Sequence, residues 1–264
     1  MAQPPPEARP LPEPPTDGVT ALSFLSPTST SSSLLASTSW DGGLRLHDTS
    51  AMSHVLQRNM DSGPLLSLAT PSGSNSMDGS IFTGGLDGSV RVLDVEKNAV
   101  NIVGLHTGKG ASQPPPPDAP DERNAVSCLS VLDPSIVASA GWDSNLYLWD
   151  VRSNTVRPAS SVRLPGKAFS MDSVAEGNRI VVATAGRRTC IVDWRRTEDS
   201  DVMAELKLDR ESSLKYQTRV VRFFPDGKGL AMGSIEGRVG IEFLDEIGVD
   251  SGGKKKYAFK VSTC

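Results

Sequence analysis

The chain repeats itself, and that repeat limits its fold more than any other feature. The segment Ser39-Trp40-Asp41-Gly42-Gly43-Leu44-Arg45-Leu46-His47-Asp48 returns as Gly85-Leu86-Asp87-Gly88-Ser89-Val90-Arg91-Val92-Leu93-Asp94. It returns again as Gly141-Trp142-Asp143-Ser144-Asn145-Leu146-Tyr147-Leu148-Trp149-Asp150. Ala185-Gly186-Arg187-Arg188-Thr189-Cys190-Ile191-Val192-Asp193 is a degenerate fourth copy, and Ser234-Ile235-Glu236-Gly237-Arg238-Val239-Gly240-Ile241 opens a fifth that ends near Asp245. The closing aspartates at 48, 94, 150, 193 and 245 lie 46, 56, 43 and 52 residues apart. The longest gap holds a Pro-rich insert, and without it the period is roughly 40–45 residues.

Each copy reads as β-structure. Asp-Gly or Asp-Ser at its start is a tight hairpin turn that needs a positive φ or an Asx hydrogen bond. The alternating run that follows, Leu44 and Leu46 or Val90 and Val92, predicts a strand with one buried face. A strand is predicted before each turn, at Leu34–Ala36, Ser80–Phe82, Ile136–Ala138, Ile180–Ala183 and Leu230–Met232. A further strand precedes each of those, at Val19–Phe24, Leu65–Ala69, Val126–Val131, Ala168–Ser173 and Arg219–Phe224. Strand-rich, helix-poor order at this period is the WD40 β-propeller signature. Gly104-Leu105-His106 lies 37 residues before Asp143. The imidazole is placed to bond a buried turn aspartate, which is a structural role.

Five blades are countable. A propeller removes its sheet edges by closing on itself, normally through an N-terminal strand, and proline cannot donate to such a ladder. Seven of the first 15 residues are proline. The expectation is therefore an all-β WD40 β-propeller of the seven-bladed type, truncated, with about five blades present. Its divisions are a disordered Pro-rich arm over 1–16, blades one to five plus the start of the next over 17–260 with a Pro-rich loop insert at 107–123, and a tail at 261–264.

Other function classes find little support. No apolar run is long enough for a membrane-spanning helix, and the start of the chain does not look like a secretory signal. Cys128, Cys190 and Cys264 form no CxxC, which fits a reducing compartment. His47, His54 and His106 lack metal-ligand spacing, so no metal or cofactor is expected. No GxSxG elbow or P-loop context is present, and Asp199 and Asp201 read as loop solvation, so no enzyme is expected. With 27 Lys+Arg against 31 Asp+Glu, bulk nucleic-acid binding is not suggested.

A binding surface is better supported. Trp40 and Trp142 precede turn aspartates at matching blade positions and project to the same face. They either fill the packing between blades or anchor an interface. Residues 207–264 hold 11 Lys+Arg and 8 Asp+Glu. The surplus, at Arg210, Lys215, Arg219, Arg222, Arg238 and Lys254–Lys256, is either a solvated basic face or a clamp for carboxylate or phosphate.

Several blocks are more specific than a generic repeat: Arg210-Glu211-Ser212-Ser213-Leu214-Lys215-Tyr216-Gln217-Thr218-Arg219, Ser234-Ile235-Glu236-Gly237-Arg238-Val239, Lys254-Lys255-Lys256-Tyr257-Ala258-Phe259-Lys260, Thr184-Ala185-Gly186-Arg187-Arg188 and Gly84-Gly85-Leu86-Asp87. Together they resemble the spindle-assembly-checkpoint WD40 propeller, the budding-uninhibited-by-benzimidazole type 3 family, from about Pro14 to Phe259. The nuclear-pore mRNA-export propeller is a sister family that shares the Leu-Lys-Tyr-Gln and Ser-Ile-Glu-Gly-Arg-Val blocks. The resemblance implies a non-catalytic adaptor that binds a GLEBS segment of checkpoint kinases or pseudokinases and phosphorylated MELT repeats of the kinetochore scaffold. It implies peptide contacts at Trp40, Trp142, Lys215, Tyr216 and Arg219, and phosphothreonine contacts at Arg238 and Lys256. It also implies residence in the nucleus, at kinetochores in mitosis, and in the cytoplasm, with no membrane and no direct nucleic-acid partner. The alternative is the pore propeller, binding a pore GLEBS segment and contacting RNA. A generic WD40 scaffold in a ubiquitin-ligase or chromatin complex is a distant third.

Overall fold

The computed structural model describes residues 9–25, 33–61, 63–71, 79–107, 124–153, 155–175, 177–197, 201–244 and 257–260. These residues form five four-stranded antiparallel sheets, each with its strands in chain order. The first is β1 (Val19–Phe24), β2 (Leu34–Ser39), β3 (Gly43–Asp48) and β4 (Ser53–Asn59). The second is β5 (Leu65–Ala69), β6 (Ser80–Gly85), β7 (Ser89–Asp94) and β8 (Ala99–Leu105). The third is β9 (Val126–Asp133), β10 (Ile136–Gly141), β11 (Asn145–Asp150) and β12 (Ser160–Arg163). The fourth is β13 (Ala168–Val174), β14 (Arg179–Thr184), β15 (Arg188–Arg196) and β16 (Val202–Glu211). The fifth is β17 (Thr218–Phe223), β18 (Gly229–Ser234), β19 (Arg238–Phe243) and β20 (Tyr257–Lys260). No α-helix occurs among the described residues, so none is long and apolar enough to cross a membrane.

The turns form as their sequences dictate. Gly42, Gly88, Ser144 and Gly237 all adopt positive φ. The carboxylates of Asp41, Asp87 and Asp143 accept from the backbone N–H two residues on, at 2.8, 3.0 and 3.1 Å. The degenerate fourth copy lacks that carboxylate and replaces the turn with a 3-10 segment, Ala185–Arg187, in which Gly186 has φ 74°.

The strands after the turns, expected to bury one face, are covered on both in β3, where Leu44, Arg45, Leu46 and His47 are all buried. The second strands are likewise covered on both sides, because each sheet packs against its neighbours. On β14, Ile180 and Val182 pack toward the third sheet while Val181 and Ala183 pack toward the fifth. On β10, Ile136 and Ala138 face the fourth sheet and Val137 faces the second. Four apolar clusters thus alternate with five sheets. A strand buried on both faces needs an unbroken apolar run, which Ile180-Val181-Val182-Ala183 supplies.

One polar chain crosses the interface between the second and third sheets. His106, just after β8, places Nδ1 3.1 Å from Asp143 Oδ1 and Nε2 2.7 Å from Ser139 Oγ. Trp149 Nε1–H donates to the same Ser139 oxygen at 2.8 Å. The Asp143 carboxylate only accepts, so in the neutral imidazole the proton sits on Nδ1 and Nε2 accepts from the Ser139 hydroxyl. The Nδ1–H then donates to Asp143. Both the His106 and Asp143 side chains are 0% exposed. Burial works to raise the Asp143 carboxyl, and the His106 and Asn145 hydrogen bonds overcome it, so Asp143 sits below the usual carboxylate range.

The structure revises two expectations at the ends. The N-terminal arm, expected to be disordered, is described from residue 9, and there it lies against the first sheet. The Pro12 carbonyl lies 2.9 Å from His47 Nε2, and Thr16 donates through N and Oγ1 to Asp41 at 3.0 and 3.1 Å. Prolines forbid a ladder but leave carbonyls free to accept. Tyr257–Lys260, expected to start a further blade, is instead the outer strand of the fifth sheet and pairs Arg238↔Lys260 through Ile241↔Tyr257. The insert at 108–123 and the tail at 261–264 lie outside the described residues.

Candidate functional site

The first strand of every sheet is bulged at its second residue. The register skips Thr20 in β1, Leu66 in β5, Ser127 in β9, Phe169 in β13 and Arg219 in β17. A bulged residue leaves the ladder and its side chain is re-aimed. All five line one cavity of about 840 Å³ where the first strands converge. Hydroxyl and carboxylate bonds fix these strands to one another. Ser67 Oγ donates to Val126 O at 2.8 Å, Ser127 Oγ to Ala168 O at 2.7 Å, and Val221 N–H to Ser170 Oγ at 3.1 Å. Phe223 N–H donates to Asp172 at 2.8 Å.

The turns after the second strands form the rim. Trp40, Leu86, Trp142, Ala185 and Ile235 occupy equivalent positions. Their N–H groups donate to the carbonyls of Gly18, Pro64, Ala125, Lys167 and Gln217 at 2.8–3.1 Å. Trp40 is 45% exposed and Trp142 is half-buried, and both line the cavity. Arg219 lines it too, exposed and with no hydrogen bond or ion pair among the described residues. Three residues singled out in the sequence therefore meet in one place.

The cavity's charge is one-sided. Arg219 and Arg222 line it, and among the described residues no Asp or Glu does. Arg222 Nη1 donates only to the Met171 and Val221 carbonyls and the Ser170 hydroxyl. Cys128 also lines the cavity, but burial pushes its thiol up to about 11, so it is a poor nucleophile there.

The other expected residues lie apart. Lys215 and Tyr216 are exposed in the segment entering β17, with Lys215 Nζ 5.9 Å from the Tyr216 ring centroid, and neither lines the cavity. That segment is held firmly. Arg187 Nη1 donates to Leu214 O and Lys215 O at 3.1 and 2.9 Å, and fully buried Glu242 accepts from Ser213 N–H at 3.1 Å and pairs with Arg210. Arg238 opens β19, outside the cavity, with Nε 3.3 Å from Glu236 Oε1. Lys256 lies outside the described residues.

Sequence reasoning missed Phe169, which is bulged into the cavity, and Lys167, whose Nζ stands 5.7 Å from the Trp142 ring centroid. It also missed Lys260, which the ladder places directly across from Arg238. The signal for Phe169 and Lys167 was their offset from the fourth turn, which matches that of Arg219 and Gln217 from the fifth. No group of metal-ligating side chains occurs among the described residues.

Five like sheets around a rimmed cavity define the chain as a WD40-repeat β-propeller, and the WD domain, G-beta repeat model matches residues 9–48 and 120–150. The fold alone is shared with a solved structure of U3-55K, at TM-score 0.63 and 18% identity, over 83% of this chain and 61% of that one. Within that class its relatives are the Bub3 mitotic checkpoint proteins, with the mRNA-export propellers as a sister group. The mitotic checkpoint protein bub3 of Dictyostelium discoideum is 35% identical over 94% of this chain and 64% of its own length. BUB3.1 of Arabidopsis thaliana is 34% identical over 97% of this chain and 66% of its own. The Poly(A)+ RNA export protein of Schizosaccharomyces pombe is 30% identical over 89% and 58%. The chain thus spans less than two thirds of the length of these curated relatives.

Proposed function

We propose that the chain is a non-catalytic adaptor of the spindle assembly checkpoint that binds a GLEBS segment of a checkpoint kinase or pseudokinase across the cavity. The observation that carries this is the meeting of Trp40, Trp142 and Arg219 in a cavity where, among the described residues, Arg219 has no partner and no carboxylate forms the lining. Indoles supply desolvated apolar anchors, and guanidinium forks match a peptide carboxylate. Lys215 and Tyr216 extend the contact beside β17. Phosphorylated MELT repeats of the kinetochore scaffold dock separately at Arg238. Lys260, across the ladder from Arg238, is the second cation that the geometry favours, in the role first given to Lys256. A phosphothreonine brings nearly two charges, so this docking follows mitotic phosphorylation. The protein acts in the nucleus, at kinetochores in mitosis, and in the cytoplasm, without membrane or direct nucleic-acid contact. Residues 17–260 carry the propeller.

The test is fluorescence anisotropy with a synthetic GLEBS peptide. Arg219→Glu abolishes binding, and retained binding overturns the assignment. Arg238→Ala weakens a phospho-MELT peptide and barely changes the unmodified one, and equal losses would count against the phosphate role. The match to the RNA export protein supports one alternative, a pore adaptor. A preference for pore-derived GLEBS and RNA over phospho-MELT would establish it.

A further inference from the structure

We propose that Lys167 on the Trp142 indole forms a second acidic-residue subsite at the rim, distinct from Arg219 and reading a different carboxylate of the same bound segment. This rests on the adaptor reading above and deepens it by specifying the ligand: a segment with two carboxylates separated by apolar residues.

Three observations converge. Lys167 is exposed, and its ammonium lies over an indole face with no carboxylate or hydrogen-bonding partner among the described residues. A cation held only by a π-face keeps its capacity for an anion, because the ring quadrupole attracts it without neutralising it. Its backbone is fixed, since Lys167 O accepts from Ala185 N–H at 2.8 Å. Gly18, Pro64, Ala125 and Gln217 hold the equivalent position in the other sheets, so Lys167 is the one cation in this ring. Phe169, two residues on, is bulged into the cavity on the same strand edge. Lys167 and Phe169 thus repeat, on the fourth sheet, the polar-then-bulged pair that Gln217 and Arg219 form on the fifth. Phe169 lines the cavity two residues from Lys167, Arg219 lines it on the adjacent sheet, and no carboxylate among the described residues lines it to compete. A ligand carboxylate at Lys167 would also sit beside the Trp142 indole and report itself in its emission.

The experiment measures GLEBS-peptide affinity for the wild type, Lys167→Ala and Lys167→Arg, against the peptide and copies with each glutamate replaced singly by glutamine. An exposed ion pair predicts a loss of about two- to fivefold for Lys167→Ala and near-full retention for Lys167→Arg. One glutamine peptide should bind the wild type and Lys167→Ala equally. That peptide should differ from the one insensitive to Arg219→Gln. If Lys167→Ala binds every peptide as the wild type does, the subsite is overturned while the adaptor reading stands. If the wild type ignores the GLEBS peptide, the adaptor reading fails instead. Hexaglutamate titrated against Trp142 emission, with Trp142→Phe as the blank, then decides the subsite. A change lost in Lys167→Ala supports it, and no such change overturns it.

Discussion

Replacing Asp143 with alanine tests how far the buried polar chain holds two sheets together. The substitution strips an acceptor from His106 Nδ1, from Asn145 N–H and from Asn145 Nδ2, which approach the carboxylate at 3.1, 3.1 and 2.9 Å. Water cannot reach His106 Nδ1, because the His106 and Asp143 side chains are fully buried, whereas Asn145 is half-buried. The stranded His106 donor costs about 2 kcal/mol and the two Asn145 bonds about 0.5–1 kcal/mol each, so the loss is about 3–4 kcal/mol. For a chain of this size the melting temperature should fall by about 8–15 °C. The contrast is Asp87→Ala at the matching turn, where the Arg91–Asp87 pair is 2.8 Å long but the carboxylate side chain is 34% exposed. Screening limits that loss to about 1 kcal/mol. Urea unfolding followed by tryptophan fluorescence measures both. The double variant with His106→Ala should cost less than the two single losses combined, because its members share one network. If Asp143→Ala costs no more than Asp87→Ala, the argument from burial is wrong.

Three further outcomes follow from the same geometry. At Gly104 a Cβ would stand 2.4 Å from the Trp149 ring, so Gly104→Ala should cost about 2–3 kcal/mol by overpacking, read from the urea midpoint; a loss under 1 kcal/mol would mean the ring moves freely. Burial pushes the Cys128 thiol up to about 11 and the Cys190 thiol to about 12, the latter also through Asp209; iodoacetamide at pH 8 should therefore leave both unmodified in the native protein and alkylate both in urea, as intact mass will show. The Arg45 hydrogen bond holds Asp41 well below its ordinary 3.8, and Asp143 is also lowered. A group lowered on folding stabilises above its unfolded value and loses that contribution as pH falls through the folded one. Asp172 and Asp193 are raised by burial and act oppositely. Stability should hold from pH 7 to 5 and decline below about pH 4, with a shallower decline in Asp41→Asn.

The second strands were legible as apolar runs buried on both sides, and the first three turns by a carboxylate just before a positive-φ residue. Trp40 and Trp142 could be paired by counting from those turns. The outer strands were harder. Ser53–Asn59 and Val202–Glu211 bury one face only, and no strand was predicted there. Tyr257–Lys260 was misplaced because a long segment separates it from β19, and pairing, not propensity, decides its sheet. Phe169 escaped because its place in the site depends on a register skip that nothing in the local composition marks, and Lys167 because the degenerate fourth turn hid the offset that it shares with Gln217.

That skip has a consequence beyond the present ligand. Thr20, Leu66, Ser127, Phe169 and Arg219 are each excluded from a ladder by the bulge that presents them. They already differ in size, charge and polarity, yet the strands carrying them keep one geometry. Ser127 and Thr20 also bond the frame, through Ala168 O and Thr38, but Leu66, Phe169 and Arg219 behave as sockets in which side chains can be exchanged singly while the strands keep their places. An engineer could rewrite what this cavity accepts at those three positions, one sheet at a time.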